Sequence, residues 1–299
     1  MPFAHTPYDG SSRPFSIGLR PLDPARWFEP DEHLARDLAE KDALMAGRRD
    51  TVFREEAGSR PAQEEALAMI AAHLPDRFPD LWRREGETIS VGGRAVALDS
   101  DAPLAVSGRL VQEDLCLLER DDAGWRLTAA SLCFPSTWSL ADKIGRPMDA
   151  IHADVPGFPG RMGDLVQRIF DNLKVELPVE RLNWSIYGDA RLHHPEAKSD
   201  VAERFPAHLP ILDRATIRVE RQTLRRLPDT GAILFTIRVF VDPLAALAGR
   251  PDGPALAAAL AGQLLGLDAA QLAYKGLGPV RERLAEALER LAGPAGAAI

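Results

Sequence analysis

The chain has 299 residues, a net charge of −8 and a pI near 5.5. So acidic a balance excludes nucleic acid as a general partner, because neutralising phosphates needs a basic face. Hydrophobic residues at 45% and charged residues at 27% exclude wholesale disorder, and no apolar stretch reaches membrane-spanning length without charge or proline.

The opening MPFAHTPYDGSSRPF has no basic start followed by an apolar run, so it does not read as a secretory signal. Cys116 and Cys133 form no CxxC pair and read as buried, reduced thiols. The expectation is a soluble cytoplasmic protein. Residues 1–30, rich in proline and aromatics, should lie extended along the body. From Asp31 the pattern turns helical, with Leu34, Leu38 and Met45 on one stripe and Gly47 closing it. A second helix is expected from Pro61 to Leu74, burying Leu67, Ile70 and Leu74. Glu64 and Glu65 fall in its first turn, where negative charge complements the helix dipole. His73 lies beside that stripe and reads as a packing histidine.

Near Thr88 the periodicity changes to two. TISVGGRAVAL (88–98) predicts a short hairpin turning at Gly92-Gly93, and Leu110–Arg120 with Trp125–Phe134 predicts a second one. The next stretch, SLCFPSTWSLADKIGRPMDAIHADVPG (131–157), is too apolar for a solvent loop and too broken for one helix. Ser136 or Ser139 is positioned to cap a short helix there, and Gly145 to end it. Short irregular helices over a sheet can wall a pocket, and His152 is the histidine inside them. Alone, such a histidine is more often structural than a metal ligand.

A helix is expected over Gly163–Leu173, with Leu165, Ile169 and Leu173 on one side, and a strand over RLNWSIY (181–187). The last hairpin is the clearest pattern in the chain: residues 215–227 and 232–241 flank Pro228-Asp229-Thr230-Gly231. In its second arm Ile233, Phe235, Ile237, Val239 and Val241 share a face. In its first, Ile217, Val219, Arg221, Thr223 and Arg225 do. A buried guanidinium is costly without a counter-charge, so Arg221 and Arg225 need an anion or carboxylate in reach. Otherwise they snorkel to water or pair with Glu220 or Asp213. Helices over Pro254–Leu265 and Pro279–Leu291 close the chain. With no repeat and no long linker, one domain (1–299) is expected, its core at 88–243 and helical extensions at 31–74 and 254–292.

There is no P-loop, GxGxxG, HExxH or nucleophile elbow. The pair His193-His194 sits in a charged stretch, Asp189–Lys198, that reads as a solvated loop. Neighbouring residues on an extended chain face opposite ways and seldom bind one metal. The residue pattern by itself reaches an α+β fold, an antiparallel sheet with helices over one face.

Several longer stretches carry a resemblance: GLRPLDPARWFEPDE (18–32), the central segment 131–157, LNWSI (182–186), RVERQTLRRLPDTGAILFTIRVFVDPL (218–244) and, more faintly, YKGL (274–277). Together and in this order they resemble the alpha subunit of the haem-dependent oxidative N-demethylase family. The resemblance implies a PAS-like fold enclosing haem b. The implied reaction is oxidative demethylation of a small secondary amine such as dimethylamine, with oxygen consumed and formaldehyde released. Electrons would come from NADPH through a separate reductase subunit carrying FMN and an iron–sulfur cluster, since two cysteines here are too few to hold one. In that setting His152 becomes the candidate iron ligand, Arg221 and Arg225 candidate partners of the haem propionates, and Asn183 and Trp184 candidates to line the substrate side. The competing readings are a haem-based PAS-like gas or redox sensor and a haem-free scaffold.

Overall fold

The computed structural model describes residues 3–195, 205–206 and 208–293. A short strand β1 (Arg20–Pro21) precedes helix α1 (Leu34–Val52), strand β2 (Phe53–Glu55) and helix α2 (Arg60–Arg77). Three short strands follow, β3 (Trp82–Glu85), β4 (Thr88–Val91) and β5 (Arg94–Ala97), then helix α3 (Pro103–Leu110). The long hairpin β6 (Asp114–Asp121) and β7 (Gly124–Ser131) leads through α4 (Met148–Ile151) and α5 (Gly163–Asn172) to β8 (Val179–Tyr187). Strands β9 (Thr216–Arg226) and β10 (Ile233–Pro243) precede α6 (Gly253–Leu265), α7 (Ala269–Lys275) and α8 (Arg281–Ala292). The result is a mixed α+β fold with antiparallel sheets, the larger ordered β1-β8-β9-β10-β6-β7-β2 and the smaller β3-β4-β5.

Both hairpin turns are made as their residues require. Gly92 and Gly93 have φ of 58° and 78°, the left-handed pair that a two-residue turn between twisted strands needs. Gly231 has φ 73° and closes the β9–β10 turn. Glu65 locks that turn: its carboxylate accepts the backbone N–H groups of Asp229 (2.7 Å) and Thr230 (2.9 Å) and the Thr230 hydroxyl (2.6 Å).

The large sheet is covered on both faces, and its register fixes which residue meets which layer. Val219, Arg221 and Thr223 of β9 stand opposite Phe240, Arg238 and Thr236 of β10, and Arg221 stands opposite Leu182 of β8. This face carries two apolar clusters. One, with α1–α3 and the small sheet, includes Leu115, Leu117, Leu234, Trp27 and Phe28; the other, with α6 and α8, includes Trp184, Ile217 and Val219. A polar strip of buried side chains separates them: Arg221 donates to Glu180 (2.7 Å), Arg238 to Asp31 (2.6 Å), and Thr223 meets Thr236 (2.7 Å). The opposite face, with Cys116, Leu118, Leu224, Ile233, Ile237 and Val239, packs under the irregular segment and α5.

Several sequence-level boundaries shift. Helix α1 passes Gly47 and kinks at Arg48 (φ −143°), and α2 starts at Arg60, so Glu64 and Glu65 fall beyond its first turn. Leu110 ends a helix rather than starting a strand. That helix, α3, is buried nearly all round, so it presents no stripe for periodicity to detect. At its Gly108 a Cβ would run into the Ser131 side chain, which is why only glycine fits there. Leu165 of α5 faces solvent. Helix α7, also unforeseen, opens with a capping box between Asp268 and Gln271. Cys116 and Cys133 are free and buried. Among the described residues no single helix is long and apolar enough to cross a membrane.

Candidate active site

The segment after β7 is irregular because buried side chains hold its backbone instead of a regular ladder. Asp114, fully buried, accepts the N–H groups of Cys133 and Phe134, each at 2.8 Å. Lys41 lies 3.8 Å from the same carboxylate and donates to the carbonyls of Val111 and Glu113. Arg218 reaches from β9 to the carbonyl of Phe134 (2.6 Å) and the hydroxyl of Ser136 (2.9 Å). His193 pairs through Nδ1 with the carbonyl of Cys133 (2.7 Å). Each orphan backbone group thus finds a side-chain partner, as burial demands. Ser136 turns to Glu220 instead of capping a helix, and Ser139 makes no cap bond either.

Under this segment one stretch of the sheet face is incompletely covered, and this part-open region is here called the hollow. On the central strands the residues facing α1–α3 and α6 are mostly buried, yet Arg181, Asn183 and Ser185 of β8, Glu220 and Gln222 of β9 and Phe235 of β10 are all only part-buried. Mid-sheet residues are left part-open where the layer above does not fully cover them. His152 lies just past α4. Its Nδ1 is 2.9 Å from the Met148 carbonyl and its ring stacks on Phe158 at 4.3 Å. The hydrogen bond places the proton on Nδ1 and leaves the Nε2 lone pair open. Burial pushes the imidazole pKa down to about 4, with Lys143 and Arg181 adding to the effect against the Met148 bond, so the ring is neutral at pH 7.

Glu220 is held by neutral donors: the Ser136 hydroxyl, the Gln222 amide at 2.8 Å and the Asn183 amide at 3.5 Å. It makes no ion pair within 4 Å among the described residues. Arg181 lies near enough to feel its charge, donates to the Ser16 carbonyl (3.1 Å), and leaves a buried Nε without a partner. Tyr274 of α7 completes this group. Its phenol pKa is pushed up to about 12 by burial, then by the Glu220 charge and by Tyr187, and its ring meets Phe15 edge-on at 5.6 Å. Tyr187 is likewise shifted upward, first by burial. Four of the five stretches that carry the family resemblance therefore meet here: Ser136 and His152, Asn183, Glu220 and Tyr274.

Of the residues singled out from sequence, His152 and Asn183 belong to the hollow. Trp184, Arg221 and Arg225 belong to the other face. Trp184 is buried in the cluster under α6 and donates to Gln263 at 3.0 Å. Arg221 is answered by Glu180, by Glu29 at 3.5 Å and by the carbonyls of Arg26 and Trp27, not by Glu220 or Asp213. Arg225 lies over the Trp27 ring at 4.4 Å. Alternation groups residues by face but does not say which face holds a cavity. Ile217 and Val219 are apolar because α6 covers them. The residues sequence reasoning passed over are Arg181, Glu220 and Tyr274, of which Glu220 and Tyr274 sit inside the matching stretches.

His193 and His194 do point different ways, but the loop is not solvated at this end. His194 is fully buried beside Tyr187 (4.6 Å) and lies 3.2 Å from Asp189. Residues 196–198 of that stretch lie outside the described residues. Among the described residues no cluster of three or more His, Cys, Asp or Glu side chains is set to hold a bare metal ion. A separate open cleft of about 570 Å³, lined by Arg49, Phe53, Glu56 and Ile144, lies elsewhere. Two of its charges are already matched, Arg49 with Asp101 and Glu56 with Arg126.

Residues 18–285 match the family described as haem-dependent oxidative N-demethylase, alpha subunit-like. The match takes in His152, Arg181, Asn183, Glu220 and Tyr274. The chain belongs to this haem-dependent oxidative N-demethylase alpha-subunit-like family.

Proposed function

We propose that this protein binds haem b in the hollow through His152 and carries out oxidative N-demethylation of a small secondary amine such as dimethylamine. The observation that carries the reading is a neutral imidazole with a free Nε2 and a neutral-donor-held carboxylate walling the same hollow. Family membership supports it. So does the order of elements, two antiparallel strands, short helices, then three strands returning to the same sheet, which suits a PAS-like fold.

When bound, haem supplies the oxidative chemistry that removes an N-methyl group as formaldehyde. The chain's own residues prepare for it. Met148 O fixes the His152 tautomer and Phe158 fixes the ring plane, a common way of orienting a ligating imidazole. Arg181, with its unpartnered buried Nε, is the cation best placed to meet a propionate. Glu220 is suited to an amine, which is protonated at neutral pH. Its amide and hydroxyl neighbours orient the carboxylate without neutralising it. Tyr187 and Tyr274 stay neutral, so they narrow the space and exclude water without competing for that charge. Electrons would enter from a partner subunit bearing FMN and an iron–sulfur cluster and fed by NADPH. The only two cysteines here are buried.

The test is the absorption spectrum of the haem-loaded protein with and without dimethylamine, followed by turnover with a flavin/iron–sulfur reductase and catalase to remove peroxide. A Soret shift with amine and formaldehyde equal to amine lost are expected. Reversible binding of oxygen, carbon monoxide or nitric oxide with no amine response and no turnover would replace this reading with the sensor.

A further inference from the structure

On the far face of the sheet, away from the hollow, Arg221 and Arg238 are buried and answered, whereas Arg225 is half-buried and is not. Arg221 has Glu180 and Arg238 has Asp31. Arg225 makes no hydrogen bond and no ion pair with any described residue. Its guanidinium carbon sits 4.4 Å from the centroid of Trp27, an indole with no exposed surface. His73 meets the same indole edge-on at 5.3 Å. In this one cluster Arg225 Nε, Trp27 Nε1 and His73 Nε2 are all buried without a partner.

Stacking explains why the guanidinium lies where it does, but it leaves the buried Nε–H unanswered. Each buried donor without an acceptor costs about 1–3 kcal/mol, and native interiors rarely keep several in one place. The field is positive as well: burial, and then the Arg225 and Arg77 charges, push the His73 pKa down, against Asp76. Buried donors of a guanidinium, an indole and an imidazole gathered in one positive cluster fit an oxyanion better than a single neutral water.

We propose that Arg225, Trp27 and His73 form a binding site for a small oxyanion, a carboxylate or an inorganic oxyanion, on the sheet face opposite the hollow. Arg225 supplies the charge, Trp27 Nε1 a fixed donor, and His73 a third contact in its Nε2–H tautomer. The site rests on these residues alone and does not depend on haem.

The experiment is calorimetric titration and thermal melting of the full chain, with and without haem, using acetate in one arm and sulfate in the other. Ionic strength is held constant with chloride. Saturable binding of at least one anion with a matching rise in Tm is expected, and the arm that binds tells carboxylate from tetrahedral oxyanion. Arg225→Gln should weaken that binding at least tenfold. Trp27→Phe keeps an aromatic ring for the stack while removing the N–H with the fused ring, so it tests the site even if Arg225→Gln folds poorly. It too should weaken binding, by several-fold. No saturable binding to the unaltered protein, or equal binding by both variants, would overturn the proposal.

Discussion

Asp114 shows how much of the site depends on one buried side chain. Its two oxygens answer the N–H groups of Cys133 and Phe134, and its charge answers Lys41. Replacing it with Ala would strand two backbone donors and leave an ammonium buried without its counter-charge, a loss of about 3–5 kcal/mol. Asp114→Ala should therefore lower Tm by many degrees in a calorimetric melt. A change under a degree or two would mean that the segment is held by Arg218 and His193 alone. His152 makes a contrasting case, because its bonds are local. His152→Ala should leave the fold in place and abolish histidine-type haem ligation in the absorption spectrum. An unchanged Soret band in that folded variant would move the ligand elsewhere.

At the scale of elements, the strand β9 serves two different faces, and this sets a pH dependence. Arg221, on its buried side, lies among Glu180, Glu29 and two carbonyls. Burial raises the Glu29 pKa, but the His5 hydrogen bond and the Arg221 charge more than offset that, holding it at about 2. A carboxyl lowered on folding contributes stability that is complete above the ordinary value near 4.5 and is lost as pH falls towards 2. The shift corresponds to at most about 3 kcal/mol. Denaturant melts between pH 5 and pH 2 should show this loss, and Glu29→Gln should flatten it; an equally steep loss in the variant would assign the effect to other carboxyls. By the same geometry Arg221→Leu should cost stability and leave haem retention unchanged. The hairpin holding these residues was legible, because alternation and a Pro-Asp-Thr-Gly turn are local signals. Its faces were not. Val239 stands opposite Glu220, and Arg238 opposite Arg221, so the apolar stripes of the two arms lie on opposite sides of the sheet. Only the strand order and the helices above each side decide which stripe roofs a cavity.

Across the whole molecule, the hollow is built from parts distant in sequence. His152 comes from the irregular segment, Arg181 and Glu220 from the sheet and Tyr274 from α7, its ring backed by Phe15 of the N-terminal segment. No pattern within one window can reveal that meeting, which is why no element was expected at α7, although the faint motif echo at YKGL overlaps its end. Buried ties hold α7 in place: Lys275 donates to the Trp184 carbonyl, and its ammonium lies 4.6 Å from the Trp184 ring and 5.1 Å from that of Phe15. If Tyr274 belongs to the site, the core at 88–243 does not complete that site without α7. Tyr274→Ala tests this. Removing a part-buried aromatic ring should cost roughly 1–3 kcal/mol, below the range for a fully buried one, because water can enter the space left. If α7 forms a wall of the hollow, the same variant should also broaden or shift the Soret band and weaken the response to amine. Tyr274→Phe, which keeps the ring, should preserve most of both. A stability loss with an unaltered haem spectrum would make α7 a cover for the sheet and leave the hollow to the core alone.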